Sequence, residues 1–194
     1  MQKKRIGIFS GSFNPIHCGH LILANYICEF TELDEIWFVI SPRNPLKERG
    51  SLLEEATRLE MVRLALEEFE CMMASDIEFK MPRPSYTIHT LTKLERENPD
   101  KEFTLIIGAD NWTQFHRWKD SEQLITRFPI FIYPRLGEPV VIPERLHASV
   151  RLLSAPIMEI SSTFIRESIR EGKNMRAFLP PKVYDFILQK RIYS

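Results

Sequence analysis

Two histidines three positions apart, His17 and His20, lie in the run GSFNPIHCGH at Gly11–His20, directly behind RIGIFS. A separation of three is close to one helical turn, so both rings can point the same way. Gly11, Ser12, Asn14 and Gly19 surround them with small or hydrogen-bonding groups. The preceding residues Ile6, Ile8 and Phe9 read as a short apolar strand, and the glycine-and-proline turn is followed by a helix opening at Gly19-His20-Leu21. In a strand–loop–helix layout, backbone N–H groups and the positive end of a helix dipole face one spot. Paired imidazoles at that spot describe a pocket for phosphate. Two other readings exist: ordinary histidines near a helix start, or a zinc pair. A protein zinc site needs at least three ligands, and the only nearby candidate, Cys18, points elsewhere. The anion chemistry of a helix start favours phosphate.

A second constellation is EISSTFIRE at Glu159–Glu167. Ser161 and Ser162 are good helix caps, and Glu167 can serve the first turn. Arg166 falls one turn inside the helix, on the side facing back to the cap. Two hydroxyls, helix-terminal N–H groups and a guanidinium then converge, which suits a polyphosphate.

The elements that position these groups alternate. Strands are expected at Arg5–Phe9, Glu35–Ile40, Ala74–Phe79, Phe103–Ile107, Ile130–Tyr133 and Arg151–Leu153. Helices are expected at Leu21–Phe30, through Ala56, Leu59, Val62, Ala65 and Phe69, at Tyr86–Arg96, from Ser162, and from Pro180-Pro181 through Gln189. Alternation at this spacing implies an α/β fold: a Rossmann-like, doubly wound parallel sheet with helices on both faces. Ligands in such folds bind beyond the carboxyl ends of the strands, where the strand order reverses. Each segment of interest follows a strand: Ser10–His20, Ser41–Lys47, Gly108–Trp118, Tyr133-Pro134-Arg135 and Ile160–Arg166.

Bulk properties narrow the class. The 194 residues suit a single domain, 1–194, whose C-terminal part, about 155–194, is helical. Lys+Arg and Asp+Glu number 26 each, so the net charge is zero, and no basic block offers the cationic face of a nucleic-acid binder. Cys18, Cys28 and Cys71 form neither a disulfide framework nor a zinc motif, consistent with a reducing compartment. The apolar run behind the basic N-terminus is too short for a signal peptide, and no stretch reaches the length of a membrane span. A cytoplasmic chain is expected, with no nucleic-acid or membrane partner. Oligomeric state, a homo-oligomer included, is left open.

HxGH early in a chain with ISSTxIR late is the signature pair of the nucleotidyltransferase superfamily. The whole chain resembles the bacterial nicotinate-mononucleotide adenylyltransferases: SPRNPLK resembles a PxxPHK loop, RPSYTIHTL resembles PSYTxDTL, and GADNW with HRWKD resembles a GAD…KW segment. The resemblance implies transfer of AMP from ATP to nicotinate mononucleotide, giving deamido-NAD and pyrophosphate. It implies His17, His20 and Arg166 as the catalytic groups, with Gly11, Ser12, Phe13, Lys47, Ser162 and Thr163 around the ATP phosphates. It implies Tyr86, Thr87, Asp110, Trp118 and Arg135 around the pyridine nucleotide: the backbone at Tyr86 and Thr87 on the pyridine carboxylate, Asp110 on ribose hydroxyls, Trp118 over the ring and Arg135 near the phosphate. Mg²⁺ is expected on the ATP phosphates, with no protein metal cage. Asn14, Leu46 and His89 depart from the family pattern, which has aspartate, histidine and aspartate there. The rivals are the same transfer to nicotinamide mononucleotide or to phosphopantetheine, and a non-catalytic nucleotide sensor; the last would be favoured by loss of a histidine or of Arg166, and all three are present.

Overall fold

The computed structural model describes residues 3–42 and 52–194. Lys47 and Leu46 fall outside the described residues. Six strands form one sheet: β1 (Lys4–Gly11), β2 (Glu35–Ile40), β3 (Met72–Ser75), β4 (Lys101–Gly108), β5 (Ile130–Tyr133) and β6 (Val150–Leu152). Their order is β3-β2-β1-β4-β5-β6, and every pairing is parallel. The chain winds outward through β2 and β3, then returns to the other side of β1 at β4. The order therefore reverses between β1 and β4, and the crevice beyond their carboxyl ends is where such a fold takes a ligand.

Burial on both faces explains the apolar runs in the strands. Within β1, Ile6 and Ile8 point to one face and Phe9 to the other. The Phe9 face also holds Phe38, Ile106 and Phe131, and is covered by α1 (Cys18–Phe30), α2 (Glu55–Leu66), α6 (Ser162–Arg170) and α7 (Pro181–Gln189). The Ile6 and Ile8 face holds Leu105, Ile107 and Ile130, and is covered by α3 (Thr87–Glu97) and α5 (Ser121–Arg127). Gly7 shows how close the packing is: a Cβ there would lie 2.6–2.8 Å from the side chains of Ile106, Ile36 and Leu33. The doubly wound α/β architecture read from the sequence is the one observed.

Several expected bounds shift by a few residues, the third strand's most of all, and two short helices join the expected elements. The third strand was placed at Ala74–Phe79, but β3 ends at Ser75 and Ile77–Lys80 is a 3-10 turn. The register explains this: β3 pairs Met72 with Ile36 through Ser75 with Val39, and β2 ends one residue later at Ile40, so further strand would have no partner. Between β4 and β5 the chain also forms a short α4 (Ala109–Thr113) and α5. The apolar spacing in both is too brief to show a helical period.

Candidate active site

α1 begins at Cys18 with His17 as its N-cap in extended conformation. The His17 backbone N–H donates to Nδ1 of His20 at 3.2 Å. Because Nδ1 accepts, a neutral His20 ring carries its proton on Nε2. The two rings stack, centroids 3.7 Å apart and planes 26° from parallel. His17 is 4% exposed, and its Nδ1 is buried without a hydrogen-bond partner. Burial, with a smaller contribution from the Arg135 charge, lowers its pKa from 6.5 to about 4. His17 is therefore a neutral imidazole at neutral pH. Its ring lies over Gly19, where a Cβ would stand 3.1 Å from His17 Nδ1 and 3.6 Å from Ile160 Cβ. Glycine at 19 thus lets the histidine and the segment before α6 meet.

The loop before α1 is held open in a conformation the chain would not choose alone. Phe13 has φ of 44°, a left-handed value rare for a bulky residue, costing roughly 1–3 kcal/mol. Its ring is buried and meets Phe9, Phe38 and His20 at centroid distances of 5.2–5.7 Å. The rest of the loop is held by donors to its carbonyls. Arg166 Nη1 donates to Asn14 O at 2.9 Å, Ser162 Oγ donates to Pro15 O at 2.9 Å, and Arg58 Nη1 donates to Ser12 O at 2.6 Å.

Those bonds bring the second constellation against the first. Ser161 caps α6, its hydroxyl accepting from Phe164 N at 3.1 Å. The first N–H groups of α6 have no acceptor within the helix and open toward the cleft. Arg166 Nη2 also donates to Thr163 Oγ1 at 3.2 Å, so the guanidinium lies flat along the α6 N-terminus. Ser162 gives its hydroxyl proton to Pro15, leaving its backbone N–H as its contribution to an anion.

On the far side of the reversal, β4 ends at Gly108 and β5 at Tyr133. Gly108 is the N-cap of α4 and Asp110 stands in its first turn. Arg135 Nε lies 3.7 Å from Asp110 Oδ1, too far for a hydrogen bond, and both atoms are buried without a hydrogen-bond partner. Arg135 also donates to Tyr133 Oη at 3.3 Å and lies over the Tyr133 ring. Of four buried side-chain polar atoms without a hydrogen-bond partner among the described residues, three thus border this space: His17 Nδ1, Asp110 Oδ1 and Arg135 Nε. Buried polar groups are normally satisfied, so a cluster of orphans marks a place for a polar ligand.

The space is a cleft of about 1420 Å³, larger than the usual range for one small molecule and sized for two. Its lining includes Gly11, Ser12, Phe13, His17, His20, Asp110, Arg135, Ser162, Thr163 and Arg166. Tyr86, Thr87 and Trp118 are not in that lining. Tyr86 is the N-cap of α3 and Thr87 its first residue; Arg83, three positions earlier, does reach the cleft. Trp118 packs on Phe115, centroids 5.2 Å apart, at the edge of the α3 and α5 core. His89, one of the departures, is exposed and sits edge-on to Tyr86.

One residue of consequence escaped the sequence reading. Arg58 is fully buried and donates to four carbonyls: Ser12, Ser41, Pro42 and Leu53, at 2.6–3.0 Å. It ties the loop after β1 to the loop after β2. Its signal was available, because Arg58 is in helical phase with Val62, Ala65 and Phe69, and so lies on the apolar face.

Residues 8–168 match the cytidylyltransferase-like family model. A Bacteroides fragilis protein named "Probable nicotinate-nucleotide adenylyltransferase" is 52% identical over 98% of this chain and 94% of its own length. A Bacteroides thetaiotaomicron protein of the same name is 54% identical over 96% and 92%. Among solved structures, Plasmodium falciparum nicotinic acid mononucleotide adenylyltransferase complexed with NaAD superposes with a TM-score of 0.81 at 22% identity, covering 98% of this chain and 97% of that one. The chain is a member of the cytidylyltransferase-like family and, within it, of the nicotinate-nucleotide adenylyltransferases.

Proposed function

We propose that the chain transfers AMP from ATP to nicotinate mononucleotide, forming deamido-NAD and pyrophosphate. The observation that carries this reading is the stacked His17–His20 pair at the N-terminus of α1, locked against the α6 N-terminus and Arg166 through the Asn14 and Pro15 carbonyls. The names of the relatives supply the substrate class.

The chemistry suits the groups present. A phosphate monoester has a second pKa near ~6, so the attacking oxygen of nicotinate mononucleotide is already ionised and needs no base. That oxygen attacks the α-phosphorus in line. A new P–O bond forms, the bond from α-phosphorus to the bridging oxygen breaks, and its electron pair leaves with pyrophosphate. The protein's task is alignment and stabilisation of charge. His20 presents Nε2–H as a donor. His17, neutral in the free chain, gains protons more readily once a polyphosphate lies beside it. Arg166 and the α6 N-terminus face the leaving phosphates. Asp110 can accept from ribose hydroxyls, and Arg135 supplies positive charge beside it. Mg²⁺ would be carried on the ATP phosphates and would neutralise part of their charge, since Mg²⁺ readily takes phosphate and water ligands.

Backbone N–H groups at the start of α3, beside Tyr86 and Thr87, stand outside the cleft lining, which reaches this segment at Arg83; the acid substrate follows from the relatives' names and would suit such donors, since a carboxylate offers only acceptors. The test is to assay ATP with nicotinate and nicotinamide mononucleotides in parallel, reading dinucleotide and pyrophosphate. A mismatched buried donor costs about 1–3 kcal/mol, so kcat/KM should favour the acid about ten- to a hundredfold. Equal efficiency would remove acid selectivity, and no turnover of either would remove the transfer reading.

A further inference from the structure

The loop that carries His17 is also held from behind. Tyr193, just past α7, donates its hydroxyl to Asn14 Oδ1 at 2.8 Å. The same oxygen accepts the Leu53 backbone N–H at 3.4 Å. An amide N–H can only donate, so the Asn14 oxygen, not its nitrogen, faces both groups, and Tyr193 is the donor. Asn14 is 3% exposed. Burial raises the Tyr193 pKa despite the nearby positive charges of Arg166 and Arg58, so the hydroxyl keeps its proton at working pH. The backbone behind it is anchored too: Ile192 N donates to Ile187 O at 3.0 Å, and the Tyr193 ring packs on the core that α1 and α6 share.

Asn14 stands at the centre of the loop's restraints. The residue before it has a left-handed φ, a conformation that persists only where surroundings over-determine it. Its carbonyl accepts from Arg166, and the next carbonyl accepts from Ser162. Those two bonds belong to the phosphate site. Tyr193 itself does not line the cleft, yet its hydroxyl holds the side chain of Asn14, which does.

We propose that Tyr193 is a positioning residue for adenylyl transfer: through Asn14 it sets the path of residues 13–17, and with it the place of the His17 and His20 rings relative to Arg166. This rests on the AMP-transfer reading.

Tyr193→Phe removes the hydroxyl and leaves the ring to pack. Small misplacement of groups around the reacting phosphorus costs rate steeply, so kcat should fall about tenfold. ATP should bind several-fold more weakly, while KM for nicotinate mononucleotide keeps its wild-type value. Tyr184→Phe is the control: this residue lies within α7, its hydroxyl donates to Asn174 Oδ1 at 3.2 Å, away from the loop, and kcat should stay at the wild-type value. Because Tyr193 acts through Asn14, adding Tyr193→Phe to Asn14→Ala should lower kcat no further. Wild-type kcat in Tyr193→Phe, with or without a lower Tm, would overturn the proposal, as would losses that simply add in the double variant. An inactive wild-type chain would overturn the transfer reading instead. ATP affinity measured by calorimetry then still tests Tyr193, and equal affinity in Tyr193→Phe and wild type would overturn its placement.

Discussion

His17 and His20 share one helical turn but not one environment. His20 is half-buried, its Nδ1 occupied by the His17 N–H, so its donor is Nε2. On the proposed mechanism, removing it would delete a hydrogen bond to the charge that develops around phosphorus, while the cap position keeps its backbone. His20→Ala should therefore fold with a near-normal Tm and lose about 10²–10³ in kcat; normal turnover would make it a structural cap. His17 is buried, and its lowered pKa has a consequence for stability. The unfolded chain takes a proton at this position near pH 6.5, whereas the folded chain resists until about 4. Stability is therefore fully present above pH 6.5 and is lost as pH falls toward 4, at about 1.4 kcal/mol per pH unit and about 3 kcal/mol across that window. His17→Gln should flatten this slope in urea midpoints measured between pH 7 and pH 4, and an unchanged slope would show that His17 titrates normally. ATP binding should be accompanied by proton uptake in the same window.

At the scale of elements, the site is a set of strand ends and helix starts, and their legibility differs. Strands β2 and β5 and the start of α6 were readable to the residue, because apolar runs stop at SPRNP and YPR, and because the Ser-Ser cap and Arg166 are contiguous. The end of β3 was not, because its length depends on where β2 stops. The gathering of His17, Arg135 and Arg166 follows from parallel winding and was legible as topology. The orphaned atoms of Asp110 and Arg135 were not, since they depend on a 3.7 Å gap. Arg58 shows the same limit from another side: the helical phase puts it inside, and only the structure shows the four carbonyls that make burial tolerable. Arg58→Leu keeps the apolar face but leaves those carbonyls without their donor, so stability should fall by about 3 kcal/mol or more. Arg58→Lys restores one charge and not the fork, and should recover only part of it. If Arg58→Leu is as stable as wild type by urea denaturation, the loops after β1 and β2 hold themselves.

For the whole molecule, the reversal of strand order opens one cleft between two halves of a single sheet. The β1–α1 and α6 groups stand on one side, and the β4–α4 and β5 groups on the other. On the proposed function, a ligand with a pyridine nucleotide at one end and an adenine nucleotide at the other would touch both sides at once. Binding to the folded state alone stabilises it by RT ln(1 + [L]/Kd), about 2.7 kcal/mol at a hundred times Kd. For a chain of 194 residues this raises Tm by about 5–10 °C. Deamido-NAD should produce that shift. NAD, which differs only in carrying the amide, should bind about ten- to a hundredfold more weakly if donors at the start of α3 read the acid. At the same concentration it should then raise Tm by only about 1–6 °C. Equal shifts would mean that donors at the start of α3 do not read the pyridine substituent. A shift produced by ATP but by neither dinucleotide would confine binding to the His17, His20 and Arg166 side.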